Sequence, residues 1–267
     1  MLDLLFFAVI LAVAGSLAGI IAGLLGVGGG IVIVPVLFYL LPFAGVPDEL
    51  RMHVAVPTSL ATIIATSIVS ARSHYKRGGV DVELLRNIAP SVVVGALIGS
   101  VIGSRVGGDV LTAVFGCVAL LVAGHMAFLK GKQFVSALPG QPWISAIGVV
   151  IGGFSTMMGI GGGSLSVPTF TLCGIPIRRA VGTAAAIGLV IAVPAVIGFA
   201  IGGWGVPGLP PGSVGYVNLI GFALIAPLSM AFAPLGARLA HTIPSEWLST
   251  LFAIFLAITA IRMLMSL

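Results

Sequence analysis

The stretch Gly26-Val-Gly-Gly-Gly30 runs into Ile31-Val-Ile-Val-Pro35, and the same arrangement returns as Gly159-Ile-Gly-Gly-Gly163 followed by Ser164-Leu-Ser-Val-Pro168. Each cluster lies inside a long apolar run. Glycine in a helix interior costs about 1 kcal/mol relative to alanine, so a cluster of them interrupts a helix. The two copies predict paired breaks at matching places in the two halves of the chain.

The medium around those helices follows from composition. With 59% hydrophobic and 7% charged residues and a mean hydropathy of +1.25, the chain lacks the polar surface that a water-soluble domain needs. It reads as an all-α integral membrane protein with the lipid bilayer as its solvent. A net charge of +5 does not point to nucleic acid, because the basic residues sit in short loops between apolar runs. Cys117 and Cys173 fall within apolar segments, without disulfide or zinc spacing, and are expected to pack as thiols. No Lys or Arg precedes the first apolar run, so it is expected to be a membrane segment and not a cleaved signal peptide.

Ten apolar segments are predicted, at about 3–25, 30–42, 54–71, 88–106, 109–129, 143–159, 163–174, 180–203, 213–237 and 246–266. A spanning helix needs roughly 20 residues, and the second and seventh segments are too short. Both begin at a glycine cluster. Broken backbone at membrane depth is tolerated only where protein buries it or a cavity lines it. Pro35 and Pro168 either kink these segments or start them. The repeat continues into Val56-Pro-Thr-Ser59 and Val181-Gly-Thr-Ala184, each preceded by arginine, Arg51 in one half and Arg178-Arg179 in the other.

Loop charge orients the halves. Placing the loop from Arg72 through Lys76, Arg77 and Arg86 in the cytoplasm also places Lys130, Lys132, Arg178, Arg179 and Arg238 inside, nine of the twelve basic residues. Arg51, Arg105 and Arg262 fall outside. Five segments per half is an odd number, so residues 1–134 and 135–267 form two inverted repeats within one membrane domain. A re-entrant hairpin of segments one and two would leave this parity unchanged. Both chain ends are expected outside.

Inverted pairs of broken helices are a recurring way to build a transporter site near the bilayer midplane. Each helix N-terminus carries about half a positive charge, so two of them facing one another favour an anion. The candidate binding groups are Gly28, Gly29, Gly30, Gly161, Gly162 and Gly163, with the hydroxyls of Thr58, Ser59, Ser155, Thr156, Ser164, Ser166 and Thr183 as further donors. Arg51, Arg178 and Arg179 are candidate attracting charges at the two mouths, the latter two being also positive-inside anchors. A single glycine cluster reads equally as close helix packing, and a single hydroxyl as a bond to its own backbone. Duplication, the short segments and the shared proline offset favour a site.

All seven acidic residues lie at segment ends or in loops, which disfavours a carboxylate proton relay across the membrane. His53 and His125 read as interfacial or packing residues. No catalytic order of Ser, His and Asp, no metal cluster and no phosphate-binding Gly-x-x-x-x-Gly-Lys motif occurs. No enzyme activity, cofactor or metal is expected.

The two motifs, together with Val-Pro-Thr-Ser and Val-Gly-Thr-Ala, resemble the TauE/SafE sulfite exporter family over essentially the whole chain. The resemblance implies a carrier in the bacterial inner membrane for a sulfur-containing anion such as sulfite, a sulfonate, sulfoacetate or thiosulfate. An anion channel on the same scaffold, and a non-transporting scaffold or sensor, are the alternatives. A homodimer stays open as an assembly. Ser164 and Ser166 stand where the first motif has Ile31 and Ile33, which makes the second half the more polar wall.

Overall fold

The computed structural model describes residues 2–25, 28–128, 140–239 and 245–267. Gly26, Val27, Lys130, Lys132 and the expected 134/135 boundary lie outside the described residues. Among the described residues the chain forms ten α-helices: α1 (Leu2–Leu25), α2 (Gly30–Leu40), α3 (Asp48–Lys76), α4 (Val82–Gly103), α5 (Gly108–Phe128), α6 (Trp143–Met158), α7 (Gly163–Leu172), α8 (Ile177–Gly202), α9 (Leu219–Leu239) and α10 (Ser245–Leu264). One short hairpin, β1 (Ser213–Val214) against β2 (Val217–Asn218), precedes α9. Among the described residues five helices, α3, α4, α5, α8 and α9, are long and apolar enough to cross a bilayer. Val94, Leu97, Ile98, Val101 and Ile102 of α4 stay exposed, as a lipid-facing helix requires. The protein is an all-α membrane protein.

The helix boundaries differ from the hydropathy expectation where polar residues are helical. α3 begins at Asp48 instead of residue 54, with Asp48 and Glu49 in its first turn, where carboxylates suit the positive helix end. Conversely, residues 213–218 are hairpin and not helix. Pro35 and Pro168 lie inside α2 and α7, so both helices begin at the last glycine of their motif.

Both short helices fold back along the bundle. A Cβ at Gly29 would stand 2.6 Å from the Ala18 carbonyl oxygen, so the chain leaving α1 returns to the middle of α1 before α2 starts. Its φ of +74° is the left-handed conformation that glycine adopts without strain. From there α2 runs to the bundle end where Phe38 lies under the Arg51 guanidinium, 6.0 Å from ring centre to Cζ. α7 turns back likewise and delivers the chain at Ile177, the start of α8. The α1–α2 hairpin therefore opens at the Arg51 end and the α6–α7 hairpin at the Arg178 end.

Most helix pairs of the described residues, α3–α5, α5–α6 and α3–α6 excepted, follow an exchange symmetry. Replacing each helix by the one five places along turns the α1–α9 pair into α6–α4, α3–α9 into α8–α4, α2–α3 into α7–α8, and α5–α7 into α10–α2, while α3–α8 and α5–α10 map onto themselves. Small residues make the tightest pairs. A Cβ at Gly15 would meet the Ile225 carbonyl oxygen at 2.7 Å, and Gly19 lies against Ser229 in the α1–α9 seam. Gly148 and Gly152 of α6 lie against Ser91 and Val92 of α4. Lipid offers no hydrophobic drive between helices, so such close backbone approach supplies dispersion contacts instead.

Candidate functional site

The two glycine motifs meet at the centre of the bundle. The position of a Cβ on Gly28 is 3.4 Å from Gly161 Cα, and one on Gly30 would collide with the Gly159 carbonyl oxygen. Ser59 of α3 donates to that same oxygen at 2.8 Å. The motif backbones thus pack directly against each other, pinned by Ser59. Gly159 itself caps α6 in the left-handed region, φ 68°. Gly162 is held by Ile187 and Ile191 of α8.

Polarity around the two breaks is unequal. At the second break the hydroxyls of Ser155 and Thr156, from the last turn of α6, and of Ser164 and Ser166, from the first turns of α7, are all buried and have no hydrogen-bond partner. Four orphan hydroxyls within residues 155–166 are unusual. A buried donor or acceptor left unpaired costs about 1–3 kcal/mol, and native interiors leave few of them. At the first break the corresponding residues of α2 are Ile31 and Ile33, both fully buried. The first N–H groups of α7, from Gly163 onward, have no carbonyl a turn earlier within the helix and add their share of the helix dipole. Residues 155–172 carry no charged side chain.

Thr58 and Thr183 are placed elsewhere. Thr58 Oγ accepts the backbone N–H of Asn218 at 2.9 Å, and Thr183 Oγ accepts the backbone N–H of Asp81 at 2.9 Å. Asn218 in turn accepts from Gly221 N at 2.7 Å, and Asp81 from Leu84 N at 3.0 Å. Each threonine therefore secures the capping residue at the start of a helix in the other half of the chain, α9 for Thr58 and α4 for Thr183.

The arginines separate to the two ends. Arg51 pairs with Asp48 and shares its end with Arg262, which stands beside Tyr39. Arg178 and Arg179 lie with the α3–α4 loop: the Arg178 carbonyl is 3.6 Å from the Cβ position of Gly79, and Arg179 reaches Asp81 at 4.0 Å. His53 stands between two carbonyls, 3.0 Å from Glu49 O and 2.9 Å from Val106 O, and ties α3 to the α4–α5 turn. Among the described residues no group of three His, Cys, Asp or Glu side chains comes together.

Two features were missed from the sequence. Ser67 and Ser70 of α3 are also buried hydroxyls without partners. Gly15 and Gly19 recur as Gly148 and Gly152 at the same sequence spacing that separates Gly28 from Gly161, so the repeat extends through α1 and α6. A search for small residues four apart carries that signal.

Residues 11–263 match the family described as Sulfite exporter TauE/SafE. A probable membrane transporter protein of Haemophilus influenzae is 36% identical over 258 residues, covering 96% of this chain and 98% of that protein. One of Methanocaldococcus jannaschii is 25% identical over 265 residues, covering 96% and 95%. Another, YdhB of Bacillus subtilis, is 27% identical over 247 residues, covering 90% and 92%. No solved structure matches the chain. With its multi-pass helical architecture and this similarity from end to end, the chain belongs to the sulfite exporter TauE/SafE family of membrane transporters.

Proposed function

We propose that the protein is a secondary transporter that moves a small sulfur-containing oxyanion, such as sulfite, a sulfonate, sulfoacetate or thiosulfate, across the bacterial inner membrane by alternating access. The observation that carries this is the set of orphan hydroxyls that flank the second break, Ser155 and Thr156 in the last turn of α6 and Ser164 and Ser166 in the first turn of α7. An oxyanion accepts several hydrogen bonds at once, and each hydroxyl donates one without a charge being buried. The helix end supplies about half a positive charge. Gly161, Gly162 and Gly163 bring backbone donors to the same point, as in the half-helix sites of other transporters.

The halves 1–134 and 135–267 act as two inverted repeats. The exchange symmetry of the helix pairs and the hairpins opening at opposite ends support this reading. Gly28, Gly29, Gly30 and Ser59 form the contact about which the halves rock, and Thr58 and Thr183 hold the helix starts on either side. Arg51 attracts anions at one mouth, Arg178 and Arg179 at the other. The basic end faces the cytoplasm, which puts both chain ends outside.

Flux of sulfite and of sulfonates into proteoliposomes tests the proposal. Saturable flux is expected, with KM raised about tenfold or more in Ser164→Ala, since a hydrogen bond to a charged group contributes about 1.5–3 kcal/mol. Flux indistinguishable from protein-free liposomes for every anion overturns it.

A further inference from the structure

The interface between α3 and α8 contains a second row of hydroxyls. Ser67, Ser70 and His74 follow at spacings of three and four and so share one face of α3. All three are buried, Ser67 at 1% and Ser70 at 4% exposure. The other described Ser and Thr hydroxyls from Thr58 to Thr66 on α3 are engaged: Ser59 with Gly159, Thr62 with its own helix, Thr66 with Thr62 and Ile63, Thr58 with Asn218. Membrane serines ordinarily bond a carbonyl one turn back. Ser67 and Ser70 do not.

The facing side of α8 is built from its smallest residues. The Cβ position of Gly188 lies 2.8 Å from Ser67 Oγ and 3.8 Å from Gly162 N. The Cβ position of Gly182 lies 3.2 Å from His74 Cβ. Ala185, also buried, comes between them. One end of the row therefore touches the α7 break, and the other lies in the C-terminal turns of α3, which carry Arg72 and Lys76 with Arg77 just beyond, beside Arg178 and Arg179. The fold itself does not demand hydroxyls here: counted by the offset from Thr58 to Thr183, the matching residues of α8 are Ala192 and Ala195, both fully buried.

We propose that Ser67 and Ser70, opposite Gly182, Ala185 and Gly188, line the lane by which the oxyanion passes between the α7 break and the basic end of the protein. The proposal rests on the transport reading above and adds a route to it. In the conformation seen here the lane is closed, with α3 and α8 in contact. Moving the halves apart along this seam exposes donors on one wall and no bulky side chain on the other.

Thiol accessibility tests the lane. In a background with Cys117→Ser and Cys173→Ser, single variants Ser67→Cys, Ser70→Cys, Thr66→Cys and Lys76→Cys are treated in membrane vesicles with 2-sulfonatoethyl methanethiosulfonate. Lys76 is exposed, so Lys76→Cys marks the side to which the reagent has been added. From that side Ser67→Cys and Ser70→Cys are expected to react and Thr66→Cys to stay silent. Sulfoacetate, which leaves the reagent intact, is expected to slow the two reactions about tenfold at ten times its dissociation constant. Silence of both serine positions beside a reactive Lys76→Cys overturns the lane. Should one variant not fold, the other carries the test. A separate measurement, the rise in Tm of the unmodified protein with sulfoacetate and its loss in Ser164→Ala, tests the site. A Tm rise with both cysteines silent removes the lane alone. Reactive cysteines that sulfoacetate does not slow, without a Tm rise, remove the site and reduce the seam to a water-accessible cleft that is no oxyanion lane.

Discussion

The two breaks share a backbone plan and differ in lining. Each follows a helix that ends at a glycine cluster, turns back, and starts a short helix with a proline inside it. Around the first, Ile31, Val32, Ile33 and Val34 are buried among apolar neighbours. Around the second, Ser155, Thr156, Ser164 and Ser166 are buried with nothing to bond. One geometry thus encloses packed apolar side chains in one half and unspent donors in the other. What separates the two breaks is the side chains that follow the glycines, not the backbone plan.

The largest effect is expected at the apolar copy. Ile31→Ser with Ile33→Ser gives the first break the side chains of the second. If its role is packing, folding stability falls by about 4 kcal/mol or more, since truncating a buried isoleucine costs about 2–5 kcal/mol and each new hydroxyl is buried. Thermal unfolding in detergent reads this, and an unchanged Tm would mean that the two breaks are interchangeable.

Next in size is the reverse exchange. Ser164→Ala with Ser166→Ala removes orphan hydroxyls, so Tm without ligand stays equal or rises, while KM for the transported anion rises about tenfold or more. A fall in Tm with KM unchanged would assign these serines to packing. Smaller again is Thr183→Val, which leaves the Asp81 N–H without its acceptor at the start of α4 and costs about 1–2 kcal/mol. Thr183→Ser restores most of it, and the matching pair Thr58→Val and Thr58→Ser behaves alike at α9. The smallest effect is expected for Arg179→Gln. Its contact with Asp81 is long and its side chain is 62% exposed, so stability changes by less than about 0.5 kcal/mol. A lower rate of anion capture at low salt is the expected change, and it disappears as screening rises.

The ten segments and the short second and seventh helices were legible because hydropathy and glycine punctuation are local properties. The polarity of the second wall was legible too, since Ser164 and Ser166 can be read against Ile31 and Ile33 without knowing any contact. The partners of Thr58 and Thr183 were not, because they lie 160 and 102 residues away. A threonine near a helix start looks the same whether it faces a cavity or a distant cap. Ser67 and Ser70 were hidden for the opposite reason: α3 carries many hydroxyls, and which of them lack a partner is decided only by packing. The start of α3 at Asp48 escaped because hydropathy registers apolar length and not helix length.

The reciprocal threonine caps have a consequence for synthesis. Asp81 leaves the ribosome about a hundred residues before Thr183 does, so α4 begins its life in the membrane with one end unfastened. Thr58 waits longer still for Asn218. Neither half can complete its own helix starts, and a first half made alone is expected to remain a substrate for membrane quality control until the second arrives. Supplying the second half as a separate polypeptide should rescue it.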